Sequence, residues 1–214
     1  DLLKRLNIIL KTYQLNEWQK EMVQKFILGA GETQRVELMG KILEREEGIR
    51  LEEVNNFLVL LQRNSIQPLI KLLGELKNSK TRRVLCDSLS EIGKNAIEII
   101  APFIDDKRWY LVRNIAYILG RTGKEQAFPY LQKLFNHNEI RVRREAIQAL
   151  GLIGGPKAVG LLIRALTDID ARIRAMAAIN LGKIGKTSGL ASLLELVQSK
   201  DFPKKDPTEM KAFF

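Results

Sequence analysis

A chain of 214 residues, 45% hydrophobic and 28% charged, has enough apolar surface for a sizeable core. Its longest apolar runs, such as Phe57 to Leu61, are far too short to cross a bilayer, and its one cysteine excludes an internal disulfide or a thiolate metal cage. The net charge of +10 is uneven: residues 1–66 carry ten basic and ten acidic side chains, whereas residues 67–214 carry twenty-five and fifteen. Such an excess suits an acidic partner or a nucleic acid, and it also serves solubility. No basic-then-apolar leader opens the chain, so the expected compartment is the reducing cytoplasm, although Asp1 in place of methionine leaves a removed leader open.

Residues 1–66 read as four helices, at 2–13, 16–29, 32–47 and 51–64. The second opens on a capping box, with the side chains of Asn16 and Gln19 each serving the other's backbone N–H. These helices do not share the period of residues 67–200. They are expected to be a cap or degenerate repeats.

From residue 67 to 200 the chain repeats itself. The strings LSEIG, LGRTG, LGLIG and LGKIG end at Gly93, Gly123, Gly154 and Gly185, with spacings of 30, 31 and 31 residues. Each glycine reads as a helix C-terminal cap in the left-handed conformation. Before it run two apolar rows four residues apart, Leu85, Ile115, Ala146, Ala177 and Leu89, Leu119, Leu150, Leu181, which share one helical face. Cys86 falls among the core positions. A second apolar segment precedes each of these helices, starting at Pro68, Ala96, Pro129 and Pro156; proline suits the first turn of a helix. Pro102 falls inside its segment and is expected to shorten that helix. The unit is therefore a helix pair closed by glycine, and one pair buries its apolar faces only by stacking on the next. Residues 201–214 read as the start of a further helix in a longer protein, with Asp206 as cap, Pro207 at the first position, Glu209 in the first turn and two terminal phenylalanines.

Residues with chemistry are sparse. His137 is the only histidine and sits in a turn, where a capping or solvated role is expected. Ser88 and Ser90 read as small helix residues without a histidine partner. The GKT string at Gly185 to Thr187 lacks the first glycine and the preceding strand of a phosphate loop. Asp105, Asp106, Asp168 and Asp170 stand at turns, where capping the next helix is the ordinary role. No catalytic residue, metal site or cofactor is expected.

The phrase from Asp168 to Gly185, DIDARIRAMAAINLGKIG, resembles a HEAT repeat, and the 31-residue period with its LGxIG ending is similar to the short repeats of bilin lyases. The resemblance implies an all-α fold, a right-handed α-solenoid of stacked two-helix repeats. It also implies a ladder in which an arginine after the turn bonds an aspartate near the turn's start. Asp168 and Arg174 match both positions; Arg143 and Arg82 match the arginine; Asp106 matches the aspartate. His137 and Val112 depart from the pattern, so an incomplete ladder is expected.

Set side by side, the second helices present columns on the face opposite the apolar stripe. Ten residues before each glycine stand Arg83, Arg113, Arg144 and Ala175. Six before stand Asp87, Tyr117, Gln148 and Ile179, and two before stand Glu91, Arg121, Leu152 and Lys183. The resemblance puts second helices on the concave side of the solenoid, about 10 Å apart. Arginine and tyrosine are interface-anchoring types. The expected binding set is Arg83, Asp87, Arg113, Tyr117, Arg121, Arg144, Gln148 and Lys183, on an exposed face. The function expected is a non-catalytic protein-interaction scaffold whose partner carries an acidic segment. A nucleic-acid binder and an enzyme subunit like the bilin lyases are the alternatives; no membrane partner is expected, and the oligomeric state is open.

Overall fold

The computed structural model describes residues 2–45, 48–185 and 187–213, apart from the side chains of Ser188 and Thr208. Asp1, the expected helix end at Glu46 and Glu47, Lys186 of the GKT string and the terminal Phe214 lie outside the described residues. The chain is all-α, with no β-strand among the described residues, and it divides into two compact units at residue 102.

In the first unit, α1 spans Leu2–Thr12, α2 Glu17–Ala30, α3 Thr33–Arg45 and α4 Leu51–Leu58. The capping box forms as expected: Gln19 N–H donates to Asn16 Oδ1 at 2.8 Å and Asn16 N–H to Gln19 Oε1 at 3.0 Å. The fourth helix stops at Leu58, six residues short of the expected end, and a short 3-10 turn at Arg63–Ser65 leads on. Then come α5 (Ile66–Leu73), α6 (Ser79–Ile92) and α7 (Ile97–Ile100). The last is a single turn that passes into a 3-10 segment containing Pro102, in line with a ring that removes a donor and crowds the preceding turn.

In the second unit, α8 spans Trp109–Arg121, α9 Phe128–Leu134, α10 Ile140–Ile153, α11 Gly155–Ala165, α12 Ala171–Ile184, α13 Thr187–Gln198 and α14 Pro207–Lys211. The long second helices α8, α10 and α12 pack in chain order, with α9 and α11 against them, which makes this unit a short α-solenoid. The two apolar rows read from the sequence are all buried, and so is Cys86. Of the four turn aspartates expected to cap a helix, only Asp170 does so; Asp106 and Asp168 each accept the N–H two residues on within the turn, and Asp105 pairs with Lys133. Asp170 accepts the N–H groups of Arg172 (2.9 Å) and Ile173 (3.2 Å), and Asn78 does the same for Lys80 and Thr81 at the start of α6.

Two glycines differ from the left-handed caps expected. Gly185 takes that conformation at φ 64° and ψ 18° and Gly123 has a positive φ, but Gly154 combines φ 66° with ψ −154°, and Gly93 lies at φ −85°. It is glycine for space: an added Cβ would collide with Ile100 and approach the Leu89 carbonyl oxygen to 2.6 Å.

The first glycine of the LGRTG and LGLIG strings has a different duty, which the repeat pattern alone did not reveal. A methyl group on Gly120 of α8 would lie 2.5 Å from Ala149 Cβ and 2.6 Å from its Cα on α10. One on Gly151 of α10 would collide with the Asn180 side chain of α12. Gly182 occupies the same repeat position in α12, and there an added methyl meets nothing within 4 Å.

The turns are tied by arginine. Arg143 Nη1 donates to the carbonyls of His137 (3.1 Å) and Asn138 (3.3 Å), and Arg174 Nη1 to those of Asp168 (2.8 Å) and Ile169 (3.1 Å). Arg82 serves Leu76 and Lys77 in the same way, both at 2.8 Å. A rung of the expected ladder joins Arg143 to Asp168 of the next repeat at 3.8 Å. Where aspartate is missing, His137 Nδ1 accepts Glu139 N–H at 3.0 Å, the same bond that Asp168 Oδ1 accepts from Asp170 N–H at 2.8 Å. At the last repeat Glu209 of α14 takes over: Arg174 grips its two oxygens at 2.7 and 2.5 Å, and Lys205 adds a bond at 2.9 Å. Glu209 is 2% exposed, and the Arg174 hydrogen bond holds its carboxyl below the ordinary carboxylate range.

Two predictions come from this packing. Gly120→Ala should destabilise by roughly 1–3 kcal/mol through overpacking, whereas Gly182→Ala should stabilise by roughly 0.5–1 kcal/mol through helix propensity; urea unfolding of both variants reads the opposite signs. Glu209→Gln should cost roughly 2 kcal/mol near neutral pH, the scale of hydrogen bonds to a charged group. Because the folded pKa is depressed, the wild-type advantage is complete above the ordinary glutamate pKa and disappears as pH falls through the folded value. Thermal unfolding of both proteins across that acid range should show the two curves converging.

Candidate functional site

The eight residues read as a binding set divide between the units. Arg83 and Asp87 lie on α6 in the first unit, where Arg83 Nε donates to Asp87 Oδ2 at 3.3 Å across one helical turn. The other six lie in the second unit: Arg113, Tyr117 and Arg121 on α8, Arg144 and Gln148 on α10, and Lys183 on α12. Arg121 and Lys183 are exposed as expected. Arg113, Tyr117, Arg144 and Gln148 are half-buried, because neighbouring second helices approach so closely that side chains between them are partly covered.

Two residues that the column pattern overlooked complete the arrangement. Trp109 opens α8 one turn before Arg113, and Arg141 of α10 lies flat over its indole, with the guanidinium carbon 3.6 Å from the ring centroid. The Arg113 guanidinium stands 5.9 Å from the same ring and donates through Nη2 to Asn114 Oδ1 at 2.9 Å. Arginine favours such faces because its planar cation meets the ring's negative quadrupole. Glu139 fixes Arg141 from the side, accepting from Nε at 2.7 Å and Nη2 at 3.2 Å; the Arg141 bond in turn lowers the Glu139 pKa. The signal was present in sequence as an aromatic four residues before Arg113 and a basic residue three before Arg144, but it fell outside the three columns.

The face is short of anionic partners. Among the described residues no ion pair is formed by Arg113, Arg121, Arg144 or Lys183, and Arg144 Nε is buried with no hydrogen-bond partner. Between these cations Leu152 and Ile179 are 50% and 44% exposed, so the centre is apolar. The face is thus mixed, cationic around an apolar centre, and not a continuous positive stripe.

A separate opening lies in the first unit. A cavity of about 1290 Å³ is bounded by α1 to α4 and lined mainly by apolar side chains, including Phe26, Met39, Ile42 and Phe57. Arg50 and Glu53 on its lining pair with each other at 2.6 Å. Among the described residues no group of three His, Cys, Asp or Glu side chains is placed to hold a metal ion. No described helix is long and apolar enough to cross a membrane.

Comparison with known proteins corrects the functional expectation. Deoxyhypusine hydroxylase of Saccharomyces cerevisiae is 30% identical over 168 residues, covering 77% of this chain and 51% of the yeast protein. The Drosophila melanogaster protein of the same name is 29% identical over 166 residues, covering 69% of this chain and 54% of its own length. The chain thus spans about half the length of the curated relatives it matches. These relatives are enzymes, which overturns the expectation of a non-catalytic scaffold, and their activity is not that of a bilin lyase. Face composition and helix period misled because they record how a repeat packs and are silent on the chemistry of the whole protein. Solved structures with a similar helical course include human deoxyhypusine hydroxylase in complex with glycerol (14% identity, 99% of this chain and 94% of that one, TM-score 0.40). The complex of CpcE and CpcF of phycocyanin lyase from Nostoc sp. PCC7120 is another (18% identity, 98% and 94%, TM-score 0.41). At these TM-scores the structural matches add nothing to the assignment. The HEAT-repeat family model matches residues 66–141 and 131–204, well over half of the sequence. With the two-helix units, the glycine endings and the arginine-tied turns, this shows that the chain belongs to the HEAT-repeat family.

Proposed function

We propose that these repeats form the substrate-holding body of an enzyme of the deoxyhypusine hydroxylase kind. The observation that carries the reading is the 30% identity to the yeast enzyme across 77% of this chain. The repeats present long second helices in order, each fixed to the next by close packing, and a rigid row of helices is suited to holding one part of a substrate while another part reacts.

Hydroxylation also calls for oxygen chemistry. A protein-built iron centre for such a reaction commonly uses two histidines and one carboxylate with open positions. This sequence contains one histidine, His137, and its Nδ1 is engaged by the Glu139 N–H within a turn. The residues present do not fit a centre of that type. A centre of that kind would need its second histidine from beyond these 214 residues.

The test is binding of a protein bearing deoxyhypusine, compared by calorimetry with the same protein bearing unmodified lysine at that position. Recognition of the substrate predicts that the modified form binds on the order of tenfold tighter, about 1.4 kcal/mol. Equal affinity for the two forms overturns the reading.

A further inference from the structure

We infer that the face made by α8, α10 and α12 docks an extended, acidic protein segment with an apolar residue near its middle. This inference is independent of the hydroxylase reading, since it rests on the chemistry of nine positions in the second unit. Those positions are Arg113, Tyr117 and Arg121; Arg144, Gln148 and Leu152; Ala175, Ile179 and Lys183. Four are cationic and none is acidic. The nearby carboxylates are Glu139, which precedes α10 and is occupied with Arg141, and Glu145, half-buried one position beyond Arg144.

Some other cations of this unit have carboxylates to answer them, while Lys107, Lys124, Lys157, Arg164 and Arg172, scattered over the unit, form no ion pair among the described residues. Lys133 pairs with Asp105, Arg108 with Asp106, and Arg174 and Lys205 with Glu209. On this face four cations are grouped, with no acidic residue among the nine positions and no ion pair among the described residues. Arg144 makes the point most directly: its Nε is already removed from water and has no acceptor. An arriving carboxylate would meet the part of the Arg144 side chain that is still exposed, which forms no ion pair among the described residues. Trp109, held under Arg141, supplies a rigid aromatic floor beside Arg113.

Geometry sets the length and order of the segment. The glycine contacts put these helices at the close end of the packing range, about 8 Å apart, so α8 to α12 is about 16 Å, the span of about five extended residues. Acidic residues at both ends would meet Arg113 or Arg121 and Lys183, and an aliphatic side chain between them would cover Leu152 and Ile179. A nucleic acid offers phosphates at regular intervals but no aliphatic side chain for this centre.

Fluorescence anisotropy tests the inference with a labelled peptide in which aspartates and glutamates flank a central leucine. Its Asn/Gln counterpart and a labelled DNA duplex serve as competing probes, all at physiological salt. The acidic peptide should bind, the Asn/Gln form should bind on the order of tenfold more weakly, and the duplex should bind more weakly than the peptide. The double variant R121E/K183E, altered at two exposed positions, should keep its helical circular dichroism and weaken the peptide on the order of tenfold. Leu152→Ser should weaken it as well. Failure of the acidic peptide to bind, equal binding of its Asn/Gln form, an unaffected double variant or preference for the duplex would each overturn the inference.

Discussion

Consecutive second helices of this protein touch backbone to side chain, with only a hydrogen atom's room at Gly120 and Gly151. That approach decides much of what surrounds it. It puts Ala149 and Asn180, small and medium residues, at the facing positions, and it draws the helices close enough to half-cover Arg113 and Arg144. Asn180 satisfies its own amide by donating to the Met176 carbonyl at 2.9 Å, so a polar residue is tolerated in a dry interface. The hydrophobic rows at Ile115, Ala146 and Ala177 and at Leu119, Leu150 and Leu181 then close beneath.

Arginine does two kinds of work here, distinguished by the groups within its reach. Arg82, Arg143 and Arg174 fold back onto the preceding turn, where one nitrogen, Nη1, donates to two successive turn carbonyls. Arg143 and Arg174 also reach a carboxylate further along the chain, Asp168 in one case and Glu209 in the other. Arg113, Arg121 and Arg144 lie elsewhere on their helices, Arg144 about 100° around α10 from Arg143, and among the described residues no carboxylate pairs with them. Part of the positive charge of the repeats is therefore engaged in tying turns, and part stands apart from the described carboxylates.

Much of the fold was legible in the sequence because its signals are local and repeated. The apolar rows, the Asn16–Gln19 capping box, the proline-shortened helix at Pro102 and the Asp170 cap all arise from spacing and side-chain chemistry within one helix or turn. What was not legible depends on contact between helices. Gly93 looked like a left-handed cap and is instead a matter of space beside Ile100. Gly120 and Gly151 looked like part of a capping phrase, and their close partners are twenty-nine residues further on. The Trp109–Arg141 stack likewise joins α8 to α10, so no column within a single helix register could contain it. The enzymatic character of the relatives lay further out of reach, since a packing repeat is compatible with many chemistries.

The paired positions also amount to a connector. A repeat carrying glycine three places before its terminal glycine accepts any successor with a compatible residue five places before its own, as Gly120 accepts Ala149 and Gly151 accepts Asn180. The rule refers only to the adjoining copy, so the number of repeats is free to change without redesign of the rest. Duplication or loss of one 31-residue block preserves every such junction provided that the cut falls at the same place in each copy. Gly182, with open space where a methyl would go, retains the outgoing half of that connector within the sequence of α12. Evolution of such a chain by copying is constrained at these two positions, at the buried rows and at the arginine-tied turns, and elsewhere its surface is free to specialise.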